Sequence, residues 1–106
     1  MRVFYADHHH VELPAGHRFP MAKYAALRAT LVAEGVLESA QLAPAPPATR
    51  AELERVHDPA YVAAVIDGTL DARAQRRIGL PWSPALVARS SASAGGTVAA
   101  ARAALA

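Results

Sequence analysis

Only one stretch of these 106 residues reads plainly as a β-strand, and that scarcity constrains the fold more than any other feature. Val3, Phe4 and Tyr5 are consecutive, apolar and β-favouring, which predicts a strand over Arg2–Ala6. An unbroken apolar run, rather than an alternating one, suits a strand covered on both faces, as in parallel sheets. Leu42 offers at most a second, short strand. One or two strands do not complete such a sheet, so the expected class is α/β, with a mostly helical chain carrying part of a parallel sheet.

The helices are marked by their caps. Pro20 opens one in which Tyr24, Leu27 and Leu31 recur at helical spacing, and Gly35 stops it, with Val36 placed to fold back on the last turn. Ala43-Pro44-Ala45-Pro46-Pro47 cannot continue a helix and reads as an extended connector. Thr49 and Glu52 have capping-box spacing for a short helix through Val56. Asp58-Pro59 starts another, with Tyr61, Val62, Val65 and Ile66 on one face and Gly68 at its end.

A polar stretch follows from Thr69 to Arg77, and Ser83-Pro84 begins the last helix. Its buried stripe is expected at Val87, Ser91, Ala94, Val98, Ala101 and Leu105. Ser90 through Thr97 are all small, and Gly95 and Gly96 each cost about 1 kcal/mol against Ala in a helix. That cost is tolerated where a neighbouring backbone comes very close. The helix then runs Ala-rich to Ala106 without a cap, so the chain reads as the front portion of a larger α/β domain. A complete small helical protein with one added strand is the competing reading.

Composition narrows the function classes. The chain is 53% apolar, but Ala fills 27 positions and buries little surface. Charged residues at 19% and a net charge of +2 argue against disorder. The absence of Cys excludes a disulfide scaffold, a thiolate metal site and a cysteine nucleophile. No apolar run approaches the roughly 20 residues of a membrane span, and the N-terminus turns polar too soon for a signal peptide. A cytoplasmic protein without a membrane partner is expected. Arg73, Arg76 and Arg77 form the one basic cluster; with no aromatic interleaved for base stacking, it reads as a solvated helix face and not as a nucleic-acid site.

Candidate chemistry is sparse. Three consecutive histidines, His8-His9-His10, cannot all point at one ion from a strand or helix. Glu12 and His17 could complete a loop site with them, but a solvated polar loop is the simpler reading. Asp7 ends the strand, where open α/β sheets place ligands, and serves equally well as a loop cap. His57-Asp58 looks like a dyad, yet Asp58 is already accounted for as an N-cap. Ser90, Ser91 and Ser93 have no base nearby and no GxSxG elbow, and the chain has neither a phosphate loop nor GxGxxG. These residues assemble neither a catalytic nor a metal-ligating set.

Several strings, taken in order, resemble a known family. Asp7-His8 followed by Leu13-Pro14-Ala15-Gly16-His17-Arg18-Phe19-Pro20-Met21-Ala22-Lys23-Tyr24 resembles the first loop and helix of bacterial histone deacetylase-like proteins. Val56-His57-Asp58-Pro59-Ala60-Tyr61-Val62 looks like that family's second signature. Arg77-Ile78-Gly79-Leu80-Pro81-Trp82-Ser83-Pro84, then Gly95-Gly96-Thr97, is similar to the segment just before its catalytic region. The resemblance implies the arginase–deacetylase fold, a parallel sheet flanked by helices in a domain far longer than this chain. It implies zinc-assisted hydrolysis of acetyl-lysine or small acetylated amines, with zinc polarising the acetyl carbonyl and paired histidines moving protons.

The family's zinc ligands, its His pair and the tyrosine that holds the oxyanion come later in the pattern than Leu105. Residues 1–106 are therefore expected to be the N-terminal portion of a single deacetylase-like domain, inactive alone and binding no zinc. Asp7, His57 and Asp58 match other positions of the pattern. Pro81-Trp82-Ser83 matches the loop that forms one rim of the acetyl-lysine tunnel, which makes Pro81, Trp82 and Ser83 the candidate substrate-binding residues. Trp82 is expected to line the entrance rather than fill the core. Many eukaryotic members carry an Asp there that grips the substrate backbone; Ser83 is the nearest position here, which leaves room for a small acetylated amine. The Gly16-His17 loop would form another part of the entrance, and Lys23 falls near a basic residue behind the catalytic pocket. The alternative class is a non-catalytic helical module that binds a partner. Under either reading, unpaired strand edges and apolar faces predict self-association.

Overall fold

A computed structural model describes all residues, 1–106. β1 (Val3–Tyr5) leads through a long loop into α1 (Lys23–Ala33), which carries the chain back so that β2 (Leu42–Pro44) lies parallel to β1. Parallel pairing needs such a crossover, and α1 supplies it. The register sets Val3 against Leu42, Phe4 against Ala43 and Tyr5 against Pro44, and the Ala45 N–H extends it by donating to the Tyr5 carbonyl at 2.7 Å. Proline is tolerated in β2 because neighbouring backbone groups alternate in direction. With Ala45 facing β1, the missing N–H of Pro44 falls on the open side. The expected Ala43–Pro47 connector is thus strand at its start and extended only beyond it.

α1 begins at Lys23, later than Pro20, because Pro20 and Met21 are spent on a turn in which the Lys23 N–H reaches the Pro20 carbonyl at 3.0 Å. It ends as expected at Gly35, whose φ of +75° suits glycine. The Val36 N–H bonds the Leu31 carbonyl (2.9 Å) and the Gly35 N–H bonds the Val32 carbonyl (3.1 Å), the paired bonds of a Schellman ending. Val36 itself stays 63% exposed, and the adjacent Leu37 is buried instead.

Four helices follow: α2 (Arg50–Glu54), α3 (Pro59–Asp67), α4 (Ala72–Ile78) and α5 (Pro84–Leu105). The Thr49–Glu52 capping box and the Asp58 and Ser83 caps form as read, although α2 stops at Glu54 rather than Val56. α4 corrects the expected polar stretch. The Asp71 carboxylate accepts the Ala74 N–H at 2.8 Å, and Arg76 and Arg77 sit in the last turn, where cations oppose the helix dipole. Two turns with few apolar residues leave no periodicity to read.

α5 packs across β1 and the connector that follows β2 through its smallest residues. A Cβ on Gly95 would collide with the Pro46 carbonyl oxygen, and one on Gly96 would stand 2.9 Å from the Ala45 Cβ. The close approach anticipated for the glycine pair is therefore to the Ala45–Ala48 connector. Two hydrogen bonds fasten it: the Ala48 N–H donates to the Ser91 carbonyl (2.9 Å), and the Ser91 hydroxyl donates to the Ala48 carbonyl (3.2 Å). The buried line of α5 runs through Leu86, Ala92 and Gly95. Val87, Ser91, Ala94 and Val98 flank it half-buried, while Ala101 and Leu105 lie exposed, Leu105 at 89%.

The result is a slab 17 Å thick with only eight buried residues. Its radius of gyration is 15.4 Å, against about 13 Å for a compact domain of this length. Its accessible surface is 7236 Å², against about 5,700 Å² for a compact monomer of its mass.

Candidate functional site

The turn from α4 into α5 carries the three candidate rim residues. The Ser83 hydroxyl accepts the Leu86 N–H at 3.0 Å, so Ser83 is committed to capping α5, while Pro81 lies exposed beside it. The Gln75 side-chain amide donates to the Leu80 carbonyl at 2.8 Å and holds the turn against α4. Trp82 is 37% exposed, neither free at a rim nor sealed in a core. Its indole N–H donates to the Val65 carbonyl at 2.7 Å, and its ring lies over Gly68, where a Cβ would stand 2.7 Å from the indole Cε2. Gly68, at φ +73°, both ends α3 and gives the indole a flat seat. Trp82 also borders a cavity of about 380 Å³ between α2, α3, α4 and α5, lined with Tyr61, Val65, Ile78 and Leu86.

The second expected part of an entrance meets the first. His17 Nδ1 accepts the Phe19 N–H at 3.1 Å, which leaves the proton on Nε2 to be donated to the Gly79 carbonyl at 3.2 Å. Two segments 62 residues apart are joined by this ring. An open recess of about 420 Å³ lies between them, lined by His17, Arg76, Gly79, Leu80 and Pro81 among others.

At the C-terminal end of β1, Asp7 is fully occupied. Arg28 grips both of its oxygens, Nε to Oδ1 at 2.9 Å and Nη2 to Oδ2 at 2.7 Å, and the guanidinium lies 4.3 Å over the Tyr5 ring. The hydrogen bonds from Arg28, aided by its charge, hold the Asp7 carboxyl below the usual carboxylate range against the opposing effect of burial. Desolvation, then the neighbouring His9, pushes His8 below the ordinary imidazole range. Its ring packs edge-on to Tyr5 at 5.4 Å. Arg28 is the partner that sequence reasoning missed. Its one trace is that position 28 falls on the Tyr24–Leu31 face of α1, an arginine on an otherwise apolar side.

The remaining candidates are placed apart. Asp58 caps α3 through the Ala60 N–H (2.8 Å), and His57 stacks against Tyr61 at 5.8 Å, so the two form no dyad. The Lys23 ammonium sits over the Phe19 ring at 4.9 Å and the Tyr24 ring at 5.1 Å. No three His, Asp, Glu or Cys side chains converge closely enough to hold a metal ion, and the residues present therefore do not fit one. No helix is long and apolar enough to cross a membrane.

Residues 17–106 match the model of the histone deacetylase domain. The chain belongs to the histone deacetylase family. It is also 44% identical, over 103 residues, to an uncharacterized protein of Picosynechococcus sp., an overlap that takes in 97% of this chain and 34% of that protein. The chain spans about a third of the length of the curated relative it matches. The resemblance read from Asp7-His8 with Leu13–Tyr24, from Val56–Val62 and from Arg77–Pro84 with Gly95–Thr97 is thereby shown. The α/β architecture, with its parallel βαβ start and flanking helices, fits a part of a histone deacetylase-family fold.

Proposed function

We propose that residues 1–106 form the N-terminal portion of a single zinc-dependent deacetylase domain that removes acetyl groups from acetyl-lysine or small acetylated amines in the cytoplasm. The family match over residues 17–106 carries this reading. Zinc belongs to the whole domain. The side chains of this segment do not assemble a site for it, and no step is assigned to them. Their part is to shape the entrance.

Pro81, Trp82 and Ser83 wall one side of that entrance, and the Gly16-His17 loop walls another. The His17–Gly79 hydrogen bond supports the pairing, since it joins two loops 62 residues apart. Ser83 acts by fixing where α5 begins, which sets the direction of the preceding turn. The exposed part of the Trp82 ring offers a flat wall to the aliphatic stem of an acetylated amine.

The test compares the full-length protein carrying this segment with residues 1–106 alone, on an acetyl-lysine reporter. The full-length protein should turn over and lose activity to a chelator, and the isolated segment should show none. Chelator-sensitive turnover by the segment alone would overturn the reading. In the full-length protein, Trp82→Ala should raise KM about tenfold, equivalent to about 1.4 kcal/mol. The isolated segment should self-associate. Its surface exceeds that of a compact monomer by about 1,500 Å², about twice the roughly 800 Å² that each partner buries in a standard interface. A monodisperse monomer in light scattering would remove that part.

A further inference from the structure

The recess between the two rim loops has a one-sided charge. Arg76 and His17 line it, and no carboxylate does. Arg76 forms no ion pair, and neither do Arg73 and Arg77 on the same short helix; the three ion pairs of the chain lie elsewhere, at Asp7–Arg28, Arg50–Glu54 and Glu52–Arg102. The nearest acid in sequence, Asp71, caps the opposite end of α4 and is engaged by the Ala74 N–H. The negative end of the helix dipole offsets only about half a charge. A guanidinium without a partner, beside an open recess of about 420 Å³, is a ready bidentate receptor for a carboxylate.

We propose that this recess selects substrate by charge. It takes acetylated amines that carry a carboxylate close to the acetylated group and turns away polycationic ones. Arg76 supplies the attraction, and His17, held in its Nε2–H form by Phe19 and Gly79, fixes the opposite wall. The carboxylate can belong to an acidic residue flanking acetyl-lysine in a peptide, or be the free carboxylate of an acetylated amino acid. The inference rests on the entrance reading above.

The experiment uses the full-length protein and compares kcat/KM for acetyl-lysine peptides flanked by Glu, Gln or Lys, for an acetylated amino acid against its amide, and for an acetylated polyamine. Glu-flanked peptides should exceed Lys-flanked ones by about three- to tenfold at about 0.1 M salt, and the ratio should shrink toward one at about 1 M, where the screening length falls to about 3 Å. Arg76→Gln should flatten the ratio and Arg76→Glu should invert it, each with no more than the small drop in melting temperature that losing a cation from the last turn of α4 brings. Preference for the free amino acid over its amide, without peptide discrimination, assigns the site to the free carboxylate, and the reverse assigns it to a flanking acid. An unchanged preference in Arg76→Glu, read on whichever substrate pair the wild type discriminates, or no discrimination within either pair, or faster turnover of the polyamine by the wild type, overturns the inference while the deacetylase reading stands. No turnover of any acetylated amine overturns both.

Discussion

Two regions of this chain are held together by opposite means. Where α5 crosses the sheet, backbone meets backbone: Gly95 faces the Pro46 carbonyl, and Ala48 and Ser91 exchange two hydrogen bonds. Around Trp82, α2 to α5 meet through Leu, Ile, Val, Tyr and Trp side chains and leave a cavity of about 380 Å³. Small residues close a contact completely but accept no added atom. Large ones supply most of the apolar surface yet fill an open slab poorly, because nothing in the chain covers their outer side. The tightest joint is built from the residues that bury least, and the loosest from those that bury most.

The sharpest way to break this comparison is Gly95→Val. Overlap with the Pro46 carbonyl should destabilise the chain by about 3 kcal/mol or more, despite a small gain in helix propensity. A denaturant midpoint within error of the wild type would mean that the connector yields and the joint is not tight.

Asp7→Asn should cost about 1–2 kcal/mol at neutral pH, since Arg28 keeps one acceptor but loses its ion pair and one side of the Tyr5 cradle stays half-exposed. Its pH dependence has a definite sign. The folded-state pKa of Asp7 is lowered, so the stabilisation is present above the unfolded value near 3.8 and is lost as pH falls through the folded one. The wild type should lose stability across that acid window more steeply than the variant. Parallel curves would show that the pair does not couple β1 to α1.

The smallest effect is expected from Ala94→Leu, which adds atoms on the cavity side of α5. It should stabilise by about 0.5–1 kcal/mol, as cavity-filling changes commonly do. A loss approaching that of Gly95→Val would place both regions in one class and end the contrast.

Much of the local structure was legible because caps are local chemistry. Thr49, Asp58 and Ser83 each accept a backbone N–H within three residues, so their roles could be read from spacing alone. α4 was not legible, because its cap at Asp71 precedes a stretch too polar and too short to show a period. The entrance was legible only through family strings. What joins its two halves, the His17 ring between the Phe19 N–H and the Gly79 carbonyl, leaves no mark on residue spacing.

The sequence by itself determined the caps at Thr49, Asp58 and Ser83, the stops at Gly35 and Gly68, the single plainly apolar strand and the need for a close backbone neighbour at Gly95-Gly96, since each depends on residues within a turn or on one residue's own sterics. The tertiary structure decided which backbone that neighbour is, that Arg28 claims Asp7, and that the Trp82 indole is tied to Val65 while one face stays open. It also left Arg76 beside His17 without an acid between them. Those are meetings of segments distant along the chain, and only the crossing of helices over a sheet sets which of them come within hydrogen-bond reach.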